Sequence, residues 1–295
     1  MTLLVAVLLL AADPAVGDSS IRRPALGSEI VIKTSTRTAG AIDSLTWNGK
    51  ELIDRADHGR ELQSASDFDD RRRLVPEVFN PTEAGSMHDG AGPTSTSRLL
   101  KIHAEGNTLE TSIQMAFWLR PGEKSAGHPA RNTTPLSDHI LTKRVTIGDT
   151  AGPNVIQDDV TFTLPEGEHH TIAQFEALTG YMPEEFHVFW HLDPKTGTRH
   201  PLSEGPGEQA DPVIVSTEDG AFAMGIVAFP SDVPGMNGPS YGRFRFASQK
   251  VNKWNCVYRL RNTDGVPAGD YRFRTRVVVG TLEVVTKTMR DLINQ

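Results

Sequence analysis

The sequence predicts an all-β fold, a large antiparallel β-sandwich closed by one short C-terminal helix. Three observations carry this. Short runs of period-two or β-branched character recur along the chain with Gly, Pro or Asn between them; an Asn-Gly pair sits between two short apolar pieces; and a 3.6-residue apolar period appears only in the last fifteen residues. Strands recurring at short intervals with turn signals between them read as a sandwich or barrel.

Element by element, Glu29 to Thr34 (EIVIKT) alternates as a half-buried strand does. Ala41 to Leu52 (AIDSLTWNGKEL) forms a hairpin about Asn48-Gly49. Leu99–His103, Thr108–Leu119, His139–Ile147, Val155–Leu164 and Thr171–Leu178 continue the strand pattern, followed by Glu185–Leu192, Pro212–Thr217, Ala221–Phe229, Tyr241–Ala247, Asn255–Leu260 and Asp270–Val279. In Thr281 to Asn294, Leu282, Val285, Met289 and Leu292 fall at spacings of three and four, so a helix packs there on the sheet.

The chain has 295 residues, 38% hydrophobic and 23% charged, enough to bury a sizeable core as one extended domain over 19–295. Thirty basic against thirty-seven acidic residues give a net charge of -7, which argues against a general nucleic-acid or anionic-membrane surface. Met1 to Ala12 (MTLLVAVLLLAA) has the length of a signal-peptide apolar region and is too short to span a bilayer, although no Lys or Arg precedes Arg22. Residues 1–18 are therefore expected to be an export signal, leaving a mature chain without a membrane span in the periplasm or outside the cell. The single cysteine, Cys256, cannot close an internal disulfide and sits among apolar neighbours as a small buried hydrophobe.

The stretch Asp57 to Gly90 stands apart because it is polar and turn-rich with little apolar periodicity, the composition of a functional loop between early strands. His58 and Arg60 are two apart, so an extended backbone places both on one face with Gln63 nearby. A guanidinium beside an imidazole keeps the base neutral. Asn80 is held extended by Pro81, and Gly85 and Gly90 permit tight turns that would hold Asn80 and His88 facing one cavity, with Glu83 and Asp89 in the same stretch. The charge cluster Asp67 to Arg73 reads as a solvated tip. Further on, His187 and His191 are four apart on one strand face with Phe189 between them, a surface suited to sugar hydroxyls and a pyranose face. Tyr181, Tyr241 and Trp254 offer donors and a platform.

Gly40 to Asp54 (GAIDSLTWNGKELID) resembles the opening strands of galactose-mutarotase-like proteins, and Tyr271 to Val285 is similar to their closing strand and edge helix. The resemblance implies a supersandwich presenting a groove to sugars. DHGRELQ and FNPTEAGS look like stretches of uncharacterised secreted bacterial proteins, which implies no reaction.

The residue set then gives a secreted carbohydrate-active protein. In the leading expectation it is a polysaccharide lyase: His58, His88 and Tyr241 (or Tyr181) move protons, Asn80 with Arg60 neutralises a uronate, and Gln63, Glu83, His187, His191 and Trp254 bind the chain. A glycoside hydrolase using a carboxylate pair drawn from Glu83, Asp89 and Glu176 is the alternative, as is a non-catalytic glycan-binding protein. No cofactor is expected. His58, His88 and Asp89 offer nitrogen and oxygen ligands to a divalent metal as a rival reading, without HExxH or Cys-rich spacing behind it.

Overall fold

Two sheet systems share one apolar core. The computed structural model describes residues 16–69 and 73–294, so the expected export signal falls almost wholly outside the described residues. A four-stranded antiparallel sheet comprises β1 (Ser19–Ala25), β2 (Ser28–Thr34), β3 (Ile42–Trp47) and β4 (Lys50–Glu51). Its β3–β4 turn has left-handed backbone at both Asn48 (φ 50°) and Gly49 (φ 72°), the primed turn that twists with its strands.

The rest is β5 (Gln63–Phe68), β6 (Pro81–Thr82), β7 (Arg98–Glu105), β8 (Thr108–Phe117), the minor pair β9 (Lys124–Ser125) and β10 (His128–Pro129), β11 (Leu136–Asp149), β12 (Gly152–Leu164), β13 (Ile172–Pro183), β14 (Val188–Leu192), β15 (Arg199–Leu202), β16 (Gly207–Gln209), β17 (Val213–Ser216), β18 (Ala223–Ala228), β19 (Met236–Phe246), β20 (Val251–Arg261) and β21 (Gly269–Gly280). One continuous antiparallel sheet runs in the order β15-β14-β17-β18-β21-β12-β11-β8-β6-β5-β13-β20-β19-β16, with β7 paired on β8. It folds over on itself. Phe175 of β13 stacks on Tyr271 of β21 at 5.0 Å, and Tyr258 of β20 meets Phe273 of β21 at 4.4 Å, so the two wings face each other across a single core. Ile30, Ile32, Leu45 and Trp47 of the small sheet join that core.

Helix α1 (Leu282–Ile293) lies on the outer side of one wing. Leu282, Val285, Met289 and Leu292 pack on Val155, Ile214, Val227 and Val278, and Thr281 caps the first turn by accepting the Val284 N–H at 3.4 Å. Cys256 is buried, and burial pushes its thiol upward, out of nucleophile range.

The segment Asp57 to Gly90 differs from expectation. It is not one long loop: between turns it supplies β5 and β6, interior strands of the large sheet. Of the expected solvated tip Asp67 to Arg73, Asp67 and Asp69 are instead buried, at 7% and 1% exposed, whereas Arg73 is exposed; residues 70–72 lie outside the described residues.

Candidate active site

The outer face of β5, β13, β20 and β19 carries a continuous set of buried and half-buried polar and aromatic groups. Strand register arranges it in rows. Gln63, Thr179, Asn255 and Gly242 stand opposite one another across the four strands. On one side of that row come Ala65, Glu176, Val257 and Ser240, then Asp67, Gln174 and Arg259; on the other come Tyr181, Lys253 and Phe244. Alternation gives the opposite face to the core, where Phe175, Trp254, Cys256 and Tyr258 lie. An extra residue in β13 between Glu176 and Thr179 shifts the register, and this bulge brings both side chains to the outer face.

Glu176 is the centre of this floor. Its Oε2 lies 3.1 Å from Lys253 Nζ and accepts from Thr179 Oγ1 at 2.7 Å. Asn255 accepts the Gly242 N–H on Oδ1 at 3.1 Å, which leaves its amide to donate to Glu176. Burial works to raise the Glu176 carboxyl, but the Lys253 charge and these three donors hold it below the usual carboxylate range. Lys253 sits between two rings, 5.3 Å from the Tyr181 centroid and 5.6 Å from that of Phe244. Phe244 and Phe246 lie nearly parallel, centroids 6.2 Å apart, with Phe246 exposed. Glu176 and Lys253 keep 16% and 15% of their side-chain exposure, so the floor is reachable from solvent.

Asp67, diagonal to Glu176 on the neighbouring strand, behaves oppositely. Burial, with the Glu176 charge adding to it, pushes its carboxyl up to about 7, against one hydrogen bond from the Glu77 N–H at 3.0 Å. One face therefore holds a carboxyl biased toward protonation and one held ionised.

Of the residues singled out from the sequence, Gln63, Arg60, Glu176 and Tyr181 belong to this face or its rim. Gln63 lies in the floor, its Oε1 accepting the Ala84 N–H at 3.0 Å. Arg60 reaches the end of it, bonded to Asp57 (2.9 Å), Asp54 (3.5 Å) and Gln249 Oε1 (3.4 Å). The others are placed elsewhere. His58 is 2% exposed with Nδ1 2.7 Å from Gly90 O and Nε2 2.6 Å from Arg37 O, so both ring nitrogens are committed to carbonyls and it pins the segment. Asn80 donates to Ser66 O at 2.7 Å and fastens β5. Glu83 points to the sandwich interior, 2.6 Å from Lys143 Nζ. His88 pairs with Glu123 at 2.6 Å on the surface. Tyr241 is a core residue whose hydroxyl accepts the Ala228 N–H at 2.9 Å, and Trp254 packs in the core. His187 and His191 belong to the other wing, beside Glu218 (3.3 Å) and Asp211 (2.8 Å), and Phe189 between them points into the core. The expected lyase constellation of His58, Asn80, His88 and Tyr241 is thus not assembled. Among the described residues, no group of three His, Cys, Asp or Glu converges to hold a metal, and no helix is long and apolar enough to cross a membrane.

Reasoning from sequence passed over Asp67, Lys253 and Phe244. The signal was present in KWNCVYR, where Lys253, Asn255 and Val257 alternate with apolar Trp254, Cys256 and Tyr258. Neither the family models nor the curated proteins contain a match to this sequence. Among solved structures, the chain is similar to a candidate aldose 1-epimerase from Klebsiella pneumoniae subsp. pneumoniae (TM-score 0.41, 10% identity, covering 91% of this chain and 83% of that one). It is also similar to the α-galactosidase from Lactobacillus brevis (TM-score 0.42, 11% identity, 90% of this chain) and to the Slr1438 protein from Synechocystis sp. (TM-score 0.41, 10% identity, 94% of this chain and 100% of that one). The chain spans 40% of the α-galactosidase's length. The solved structures it is similar to thus include a mutarotase-like one.

Proposed function

We propose that this face is the active site of an enzyme that cleaves glycosidic bonds by acid–base chemistry, with Asp67 as the acid and Glu176 as the ionised partner. The observation that carries it is the pair itself. Two carboxyls on adjacent strands are biased in opposite directions, which is how a site separates acid from base at one pH. Protonated Asp67 gives its proton to the leaving oxygen; Glu176, oriented by Lys253, Thr179 and Asn255, activates water or attacks the anomeric carbon. Phe244 and Phe246 offer parallel rings to the C–H face of a sugar.

Hydrolysis is favoured over elimination for a physical reason. Elimination next to a uronate needs a cation to take up the substrate carboxylate, and here Lys253 is held by Glu176, Arg60 by Asp54 and Asp57, and Arg259 by Glu208 at 2.6 Å. A neutral glycan suits such a charge-compensated floor. Export to the periplasm or exterior belongs to the same proposal and is supported by the apolar run Met1 to Ala12; N-terminal sequencing of the exported chain should begin near Ser19.

The test is incubation with a panel of neutral and uronate polysaccharides followed by mass analysis of the products. New reducing ends are expected, with turnover lowered about 10²–10⁴-fold in Asp67→Asn and Glu176→Gln. Ultraviolet-absorbing unsaturated ends, or full turnover in both variants, would refute the assignment, and glycan binding without turnover would make the protein a lectin.

A further inference from the structure

Beneath the candidate active site, between the two wings, three ionisable side chains share the buried interior. Lys143 of β11 is 2% exposed, Asp158 of β12 is 1% exposed, and Glu83, beyond β6, is fully buried. Lys143 and Asp158 both point inward: Lys143 stands opposite Val160 and Asp158 opposite Val145, so they are diagonal neighbours on one face of adjacent strands. Around them lie Val145, Ile156, Val160, Phe162 and Phe273 of the core.

The three differ in how they are satisfied. Glu83 Oε2 accepts from Lys143 Nζ at 2.6 Å and from the Ser64 N–H at 2.7 Å. Among the described residues, neither carboxyl oxygen of Asp158 has a hydrogen-bond partner, although both are buried; Thr275, opposite it on β21, bonds only its main-chain carbonyl, at 3.3 Å. An unpartnered buried carboxyl is costly enough that a native structure normally resolves it in some way.

We propose that Lys143 and Asp158 condense into an intramolecular amide cross-link, with Glu83 as the proton acceptor. Glu83 takes one proton from the Lys143 ammonium. The free amine attacks Cγ of the protonated Asp158; the carbonyl π electrons move to oxygen and return as the C–O bond breaks. Hydroxide leaves with the second nitrogen proton as water. One N–C bond forms, one C–O bond breaks, and the products are a secondary amide, water and a neutral Glu83, with no oxidant or reductant required. Asp158 is the electrophile because it stands free of donors, and burial, against the Lys143 charge, pushes its carboxyl up to about 7. Glu83, held by two donors, serves as the base instead. The lysine stem turns from Glu83 toward Asp158 across the roughly 7–8 Å diagonal spacing of such strand positions, within reach of its four rotatable bonds. The reaction also replaces a buried ammonium–carboxylate pair and an orphaned acid by groups that need no charge compensation.

Intact-mass measurement of the folded wild-type chain tests this without a variant: the mass should lie below that of the sequence by one water. A tryptic map should lack cleavage after Lys143 and yield a branched peptide joining the Lys143 and Asp158 segments. Asp158→Asn, nearly isosteric, should lose ammonia in place of water, and Asp158→Ala should show the full sequence mass. An unmodified wild-type mass in a protein that melts cooperatively overturns the proposal, as does a branch that maps to Glu83.

Discussion

At the scale of single residues, the opposed pair Asp67 and Glu176 makes the pH dependence definite. Asp67 must be protonated to act as an acid, and its carboxyl is raised to about 7, so activity should fall as pH rises through about 7. Glu176 is lowered, so the acid limb should lie below the ordinary glutamate value. A kcat/KM profile flat through pH 8 would count against Asp67 as the acid. Stability has a separate determinant in Glu168: partial burial works upward, but N–H donation from His139 (2.8 Å) and His170 (3.1 Å) holds it at about 2. The folded value lies below the unfolded one, so this contribution is complete above pH 4.5 and is lost as pH falls toward 2. Allowing for the 26% exposure of Glu168, it is worth about 2 kcal/mol. Glu168→Gln should therefore lower the Tm at pH 6 and lose the difference near pH 2, as read by thermal melts. Residue type alone offered Glu176 as one of a carboxylate pair but could not find Asp67 or Glu168. Tyr241 and Trp254 look like a donor and a platform, yet strand alternation turns both inward, while Lys253, one residue from Trp254, faces the floor.

At the scale of elements, the strands that obey alternation were legible, and β5 was not. QSASDF lacks an apolar face because Ser64 and Ser66 are fully buried beside Glu83 and Asn80, while Gln63 and Asp67 face the floor. Both sides of the strand are polar for different reasons, and period-two reasoning has nothing to grip. The bulge at Ala177 was invisible for a related reason: a single inserted residue does not disturb the composition of AQFEALTGY, yet it decides that Glu176 and Thr179 share a face. Helix α1 shows the opposite case, where the four spaced apolar residues predicted to face the sheet all do. Because Met289 is fully buried against a wing distant from Glu176, Met289→Ala should cost about 2–5 kcal/mol in denaturant unfolding while leaving kcat and KM unchanged. A changed KM would mean that the helix supports the active-site wing after all.

At the scale of the whole molecule, one sheet doubled over a single core gives two outer faces with different character. The face on β5, β13, β20 and β19 gathers two oppositely biased carboxyls and parallel rings; the face on the opposite wing is covered by α1 or carries paired charges such as Arg276 with Asp149 at 3.0 Å and Asp159 at 3.1 Å. The histidines of β14 and its approach belong to that second wing, separated in sheet order from β13 by eight intervening strands. β13 and β14 follow each other in sequence, yet the order of the sheet separates them, because β13 pairs with β5 and β20 while β14 pairs with β15 and β17. The histidines therefore divide from the proposed active face in a measurable way. His187→Ala and His191→Ala should leave glycan turnover within about twofold of wild type, since surface substitutions distant from the reacting groups change little. Lys253→Met, which keeps the stem between Tyr181 and Phe244 but removes the charge that holds Glu176 ionised, should lower kcat and move the acid limb of the pH profile upward. If instead His191→Ala abolishes turnover and Lys253→Met spares it, the reacting centre lies on the β14 wing.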